Sequence, residues 1–179
     1  MSKRVLILSA SPRHNGNSDI LCDQFALGAG EAGHNVEKIF LRDKNIKYCS
    51  GCYTCEKTNG VCAYKDDMPE LLQKMIDADV LVLSTPVYFY CMNAQLKTVI
   101  DRTVARYTEI KDKDAYLIAT AGEDGMQAME GTITSFRGFL DCLENVREAG
   151  LILGQGVHVL GEVKDNPAMQ EAYESGLKV

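Results

Sequence analysis

Four cysteines in one short stretch are the residues best equipped for chemistry in this chain, running Cys49-x2-Cys52-x2-Cys55-x6-Cys62. Thiolates bind soft metals, hold clusters and exchange disulfides. A cubane iron–sulfur cluster needs four thiolates, and closely spaced cysteines let one loop wrap three of its corners. Cys62 follows Asn59-Gly60, a turn pair able to swing it back as the fourth ligand. No proline follows Cys62, unlike the bacterial ferredoxin run. Structural zinc favours two separated pairs, whereas the three leading cysteines here run without a gap. The spacing therefore points first to a four-iron, four-sulfur (4Fe-4S) cluster. It leaves open free thiols, zinc, and a Cys52–Cys55 disulfide. Cys22, Cys91 and Cys142 fall outside the motif and read as packing residues.

A second candidate site follows the first apolar run, Val5 to Leu8. The loop Ser9-Ala10-Ser11-Pro12-Arg13-His14-Asn15-Gly16-Asn17-Ser18 leads directly into a predicted helix. A helix N-terminus offers free N–H groups and positive potential to a phosphate. Ser11, Asn17 and Ser18 add neutral donors, and Arg13 adds charge. Neither the G-x-G-x-x-G spacing nor Gly-Lys-Ser/Thr is present, so a monophosphate fits better than a diphosphate. Thr85 to Asn93 is aromatic and apolar where loops are usually polar, which suits a flat conjugated ring. Thr120 to Gly125 is small enough to let backbone approach such a ring. No Ser/His/Asp arrangement or carboxylate pair stands out, so no side chain is given a catalytic role. His14, His34 and His158 receive none either.

These segments must be positioned by something, and the pattern around them alternates strand and helix. Strands are predicted at Val5–Leu8, Val36–Leu41, Val80–Leu83, Tyr116–Ala119 and Leu151–Leu160. Helices are predicted at Ser18–Ala32, stopped by Gly33, and at Asp67–Ala78, where Asp67 and Glu70 have capping-box spacing. Further helices carry Leu96, Val99, Ile100, Thr103 and Val104, then Met129, Ile133, Phe136, Leu140 and Leu143, with a last one at Asn166–Leu177. The expectation is an α/β fold, a doubly wound five-stranded parallel sheet with helices on both faces. One domain spans residues 1–179, with a cysteine-rich loop at about 42–65.

Composition narrows the partners. Hydrophobic residues make up 46% and charged residues 25%, the balance of a soluble globular chain, and net charge is −6. An acidic balance disfavours nucleic acid and anionic membrane as partners. No targeting segment or membrane span is visible, and the seven cysteines are odd in number. A cytoplasmic location without a disulfide framework is expected.

The Ser-x-Ser-Pro-Arg-x-x-x-Asn-Ser loop, the Thr-Pro-Val-Tyr segment and Gln95-Leu96-Lys97-x-x-Ile100-Asp101-Arg102 together resemble the NADPH-dependent FMN reductase and flavodoxin-like family. The cysteine loop is similar to the compact cluster motif of its iron–sulfur flavoprotein branch. The resemblance implies a flavodoxin-like fold and FMN, with phosphate on Ser9, Ser11, Arg13, Asn17 and Ser18. It implies an isoalloxazine ring near Pro86, Val87, Tyr88, Phe89 and Tyr90, and near Ala121, Gly122 and Glu123. It implies a 4Fe-4S cluster on Cys49, Cys52, Cys55 and Cys62 that passes electrons to FMN. The corresponding activity is an oxidoreductase using NAD(P)H or a reduced carrier, and the assembly a homodimer or homotetramer. The alternatives are a non-enzymatic flavodoxin-type electron carrier, a plain reductase without a cluster, and a thiol- or metal-binding regulatory protein without flavin.

Overall fold

Val5 to Leu8 form a strand because every residue of the run is buried, with apolar side chains alternating between two covered faces. The computed structural model describes residues 1–179. Its elements are β1 (Arg4–Ser9), α1 (Asn17–Glu31), β2 (Asn35–Phe40), α2 (Thr54–Lys57), α3 (Met68–Asp77), β3 (Val80–Tyr88), β4 (Cys91–Met92), α4 (Ala94–Arg102), β5 (Lys113–Thr120), α5 (Gln127–Leu140), β6 (Val146–Gly154) and α6 (Ala168–Leu177). The sheet order is β2-β1-β3-β5-β6, all parallel, and the two-residue β4 turns back antiparallel on the end of β3. The expected five-stranded parallel sheet is therefore present, with one small extra strand.

The faces sort by residue parity. Val5, Ile7, Val80, Val82, Ile118 and Ile152 pack with Leu21, Phe25 and Ala172 beneath α1 and α6. Leu6, Leu8, Leu81, Leu83, Leu117 and Ala119 pack on the opposite face with Leu71, Met75, Leu96, Val99, Met129 and Phe136 of α3, α4 and α5. Strand order reverses direction at β1 and β3, which opens a crevice at their carboxyl ends.

Four local expectations change. The fifth parallel strand runs Val146–Gly154 rather than Leu151–Leu160, since Glu148 and Arg147 alternate outward beside β5 and a register shift at Ala115/Tyr116 absorbs the mismatch. Residues 85–88, expected as loop, continue β3 before the β4 hairpin. The Asp67–Glu70 capping box is not formed. The Asp66 carboxylate instead accepts from Met68 N–H, while Asp67 accepts from Asn45 N–H. Helix α4 stops at Arg102, and Val104 is exposed beyond it. Gly33 has φ +87 just past α1, the left-handed stop read from the sequence.

Candidate functional site

The first turn of α1 is held in place by its own polar side chains. Ser9 Oγ donates to Asp19 Oδ1 at 2.8 Å, and Asp19 Oδ2 accepts from Asn15 N–H at 3.0 Å. Lys38 Nζ lies 3.1 Å from Asp19 Oδ1, so the buried carboxylate is compensated. Asn17 Nδ2 donates to the carbonyls of Val157 and Val159 at 3.2 and 2.9 Å. Ser11 Oγ donates to the Arg13 carbonyl at 2.7 Å, tightening the loop ahead of the helix. A Cβ at Gly16 would lie 2.3 Å from Ser11 Oγ and 3.0 Å from the Arg13 carbonyl, so a side chain there would displace the Ser11 hydroxyl. The N–H groups of the first turn remain free of intrahelical partners, as in any helix start.

Asn93 joins this loop to β3 and α4. Its Nδ2 donates to Ala10 O, its backbone N–H to Thr85 Oγ1, and its Oδ1 accepts from Leu96 N–H to cap α4. Asn93 is buried, and nothing in the one-dimensional pattern distinguished it beyond a helix-start position.

The resulting cleft has a volume of about 540 Å³, ample for a small cofactor. Ser11, Arg13, Asn17 and Ser18 line one side, and Pro86, Val87, Tyr88 and Phe89 the other, with Gly122 at the third wall. Ser9, Tyr90, Ala121 and Glu123 lie outside the lining. Ser9 is turned onto Asp19, Ala121 is packed in the core, and Tyr90 donates to Glu123 at 2.8 Å. The aromatic tip is a tight hairpin whose central residues, Phe89 and Tyr90, both have positive φ. Such a turn normally takes Asn-Gly, so placing two aromatics there carries backbone strain. It leaves Phe89 99% exposed.

Pro12 and Thr120, inside the two segments read as binding loops, also line the cleft, as do Val157, which was not singled out, and His158, which was given no role. His158 arrives through the loop after β6, held by Asn17 and by Glu162, whose carboxylate accepts from His158 and Val159 N–H. Those bonds to Val159 and His158 N–H hold the Glu162 carboxyl below its ordinary value. The displaced end of the fifth strand is why sequence reasoning missed it.

The four motif cysteines line one separate cavity of about 170 Å³, together with Tyr53, Tyr64, Arg102 and Ala105. Gly51 and Tyr53 have positive φ and bend the chain around it, as do Asn59 and Gly60 at the expected turn. No three of these side chains converge as a single-ion site. The four residues line a shared space, and the donor set is soft and all-sulfur, which suits a cluster. A hydrogen bond between Cys52 Sγ and the Thr54 hydroxyl, 3.3 Å apart, pulls the Cys52 thiol down to about 7. Among the remaining cysteines, Cys22 is buried, and desolvation pushes its thiol up to about 12. Cys91 and Cys142 are exposed, contrary to their reading as packing residues. Cys91 sits on the two-residue hairpin strand and Cys142 just past the end of α5.

A sequence profile for NADPH-dependent FMN reductases matches residues 3–149. The chain belongs to that family. The FMN reductase match takes in β1 through β5 and the whole cysteine loop, and stops before Val157 and His158. An iron–sulfur flavoprotein of Methanocaldococcus jannaschii is 41% identical over 100 residues, covering 56% of this chain and 51% of that protein. The chain thus matches about half of that relative's length. An iron–sulfur flavoprotein of Methanosarcina thermophila is 27% identical over 168 residues, 92% of this chain and 83% of that one. In fold, this FMN reductase family member resembles the NAD(P)H:quinone oxidoreductase of Methanothermobacter marburgensis. The TM-score is 0.73 at 20% identity, covering 99% and 96% of the two chains.

Proposed function

We propose that this chain is an FMN-dependent oxidoreductase that takes electrons from NAD(P)H or a reduced carrier and also holds a 4Fe-4S cluster on Cys49, Cys52, Cys55 and Cys62. The cleft at the β1/β3 switch point carries the first half of this reading. It sets a helix N-terminus and Ser11, Arg13, Asn17 and Ser18 against Pro86 to Phe89. The helix N-terminus with Arg13 and Ser18 suits the FMN phosphate, with Ser11 and Asn17 holding the loop through their side chains, and the second group, with Gly122, suits the ring. FMN supplies two-electron and one-electron transfer, and the protein supplies position and electrostatics. His158 stands at the Gly122 wall, its Nδ1 3.0 Å from where a Gly122 Cβ would sit.

The shared cysteine cavity supports the second half, as do the names of the relatives. Self-association as a homodimer or homotetramer fits the strained hairpin that holds Tyr88, Phe89 and Tyr90 at the surface, an arrangement suited to burial against another copy. Two measurements test the reading. Anaerobic purification with FMN, iron and sulfide quantification should return about one FMN per chain and a full cluster. Steady-state oxidation of NADH and NADPH with a quinone acceptor should separate an enzyme from a flavodoxin-type carrier. Full FMN with no iron or sulfide after reconstitution would reduce the proposal to a plain FMN reductase.

A further inference from the structure

Arg102 is a buried charged side chain held by several partners at once. It closes α4 and is 2% exposed. Its guanidinium makes a two-pronged pair with Asp66, Nη1 to Oδ2 at 2.7 Å and Nη2 to Oδ1 at 3.0 Å. The Asp66 side chain is itself fully buried. Nη1 also donates to the Lys47 carbonyl at 2.6 Å, and the Tyr64 ring lies 5.3 Å from the guanidinium carbon. These contacts tie both ends of the cysteine loop to one helix terminus and fix the guanidinium plane.

One edge of that plane is not used for anchoring. Nη2 directs a hydrogen at Cys62 Sγ across 3.4 Å. Nε–H, which shares an edge of the rigid fork with Nη2, is buried and has no partner. A buried donor left unpaired costs roughly 1–3 kcal/mol, so a charged side chain held this firmly with a spare N–H calls for an acceptor. Arg102 also lines the cavity shared by the four cysteines. The acceptor the structure already sets on this edge is a cysteine sulfur, Cys62 Sγ.

We propose that the Nε/Nη2 edge of Arg102 is a positioning edge that donates two hydrogen bonds to sulfurs of the cluster held by the cysteine quartet, raising the cluster's reduction potential. This rests on the cluster reading above. Adding an electron increases negative charge on the sulfurs, so charged donors aimed at them favour the reduced form. No proton is transferred, since arginine stays protonated throughout. Lysine cannot replace the edge, because a point ammonium lacks the second, coplanar N–H.

The experiment compares the reconstituted wild-type protein with Arg102→Lys by iron and sulfide content and EPR-monitored redox titration. Both should hold the same iron. One-electron reduction of the variant's cluster should become about tenfold less favourable, a shift of about 59 mV to lower potential. Pulsed EPR of the reduced wild-type protein grown on 15N-arginine should show a nitrogen coupling to the cluster, and this readout needs no variant. Equal potentials with equal iron, or no nitrogen coupling in the wild type, would overturn the role of Arg102 and leave the cluster standing. Wild-type protein that takes up no iron would overturn both.

Discussion

At the phosphate side of the cleft, two polar residues of the same loop do different jobs. Arg13 is exposed at the cleft wall, free to meet an anion. Asn17 is buried, and its side-chain amide is committed to Val157 and Val159. Arg13→Ala should therefore weaken FMN binding by about 1.5–3 kcal/mol, the range for a charged hydrogen bond, while leaving unfolding unchanged. Asn17→Ala should lower thermal stability as well, because two carbonyls lose their donor and the His158 loop loses its tether. Fluorescence titration with FMN, run beside thermal unfolding of the FMN-free protein, separates the two effects. If Arg13→Ala left FMN affinity unchanged at low salt, Arg13 would not be a phosphate ligand. Residue types disclosed that this loop could take a phosphate. They could not disclose that Ser9 faces Asp19, because that depends on which way one hydroxyl turns at the end of a buried strand.

Elements that alternate apolar residues over a covered sheet were readable in advance, and elements fixed by close approach were not. The runs at Val5 and Val80 declare themselves by continuous hydrophobicity, and α3 by its spacing. The contact between α1 and α6 gives no such signal. A Cβ at Gly28 would stand 2.1 Å from Tyr173 O, and one at Gly176 would stand 2.2 Å from Phe25 O. The two helices thus meet backbone to backbone through reciprocal glycines. Gly176→Ala should destabilise the fold by about 1–3 kcal/mol, as overpacking does, despite alanine's better helix propensity. A lower urea midpoint at an unchanged denaturant slope would show it. The cysteine loop depends instead on charge. Burial pushes the Asp66 carboxyl up, but the Arg102 guanidinium and the N–H groups of Lys47 and Met68 outweigh it and hold it below its ordinary 3.8. A carboxyl lowered by folding contributes stability that is complete above its unfolded value and is lost as pH falls through the folded one. Amide exchange at Lys47 and Met68 should thus stay protected down to about pH 3.8 and rise only below it. In Asp66→Asn the same amides should exchange faster throughout. Equal protection in that variant would remove Asp66 as the anchor.

Over the whole molecule, the two candidate redox sites are built from different material. No residue is common to the linings of the cleft and the cysteine cavity. The cleft is made by strand ends, so it inherits the rigidity of the sheet. The cysteine cavity is made by a loop that adds no residue between 47 and 66 to either buried core layer. No helix is long and apolar enough to cross a membrane. Separate construction predicts separable loss. Cys52→Ser, at an exposed position with no core contact, should abolish most iron binding while FMN content stays near that of the wild type. Thermal unfolding of the FMN-loaded variant should shift little, since the core that sets stability is untouched. Structural zinc would behave in the opposite way, because losing such a metal removes folding free energy with it. Visible spectra divide the cases further. A cluster adds broad absorption that bleaches on reduction and that Cys52→Ser should lack, and zinc adds none. If the variant lost FMN in step with iron, the two sites would be coupled through the fold despite sharing no lining residue.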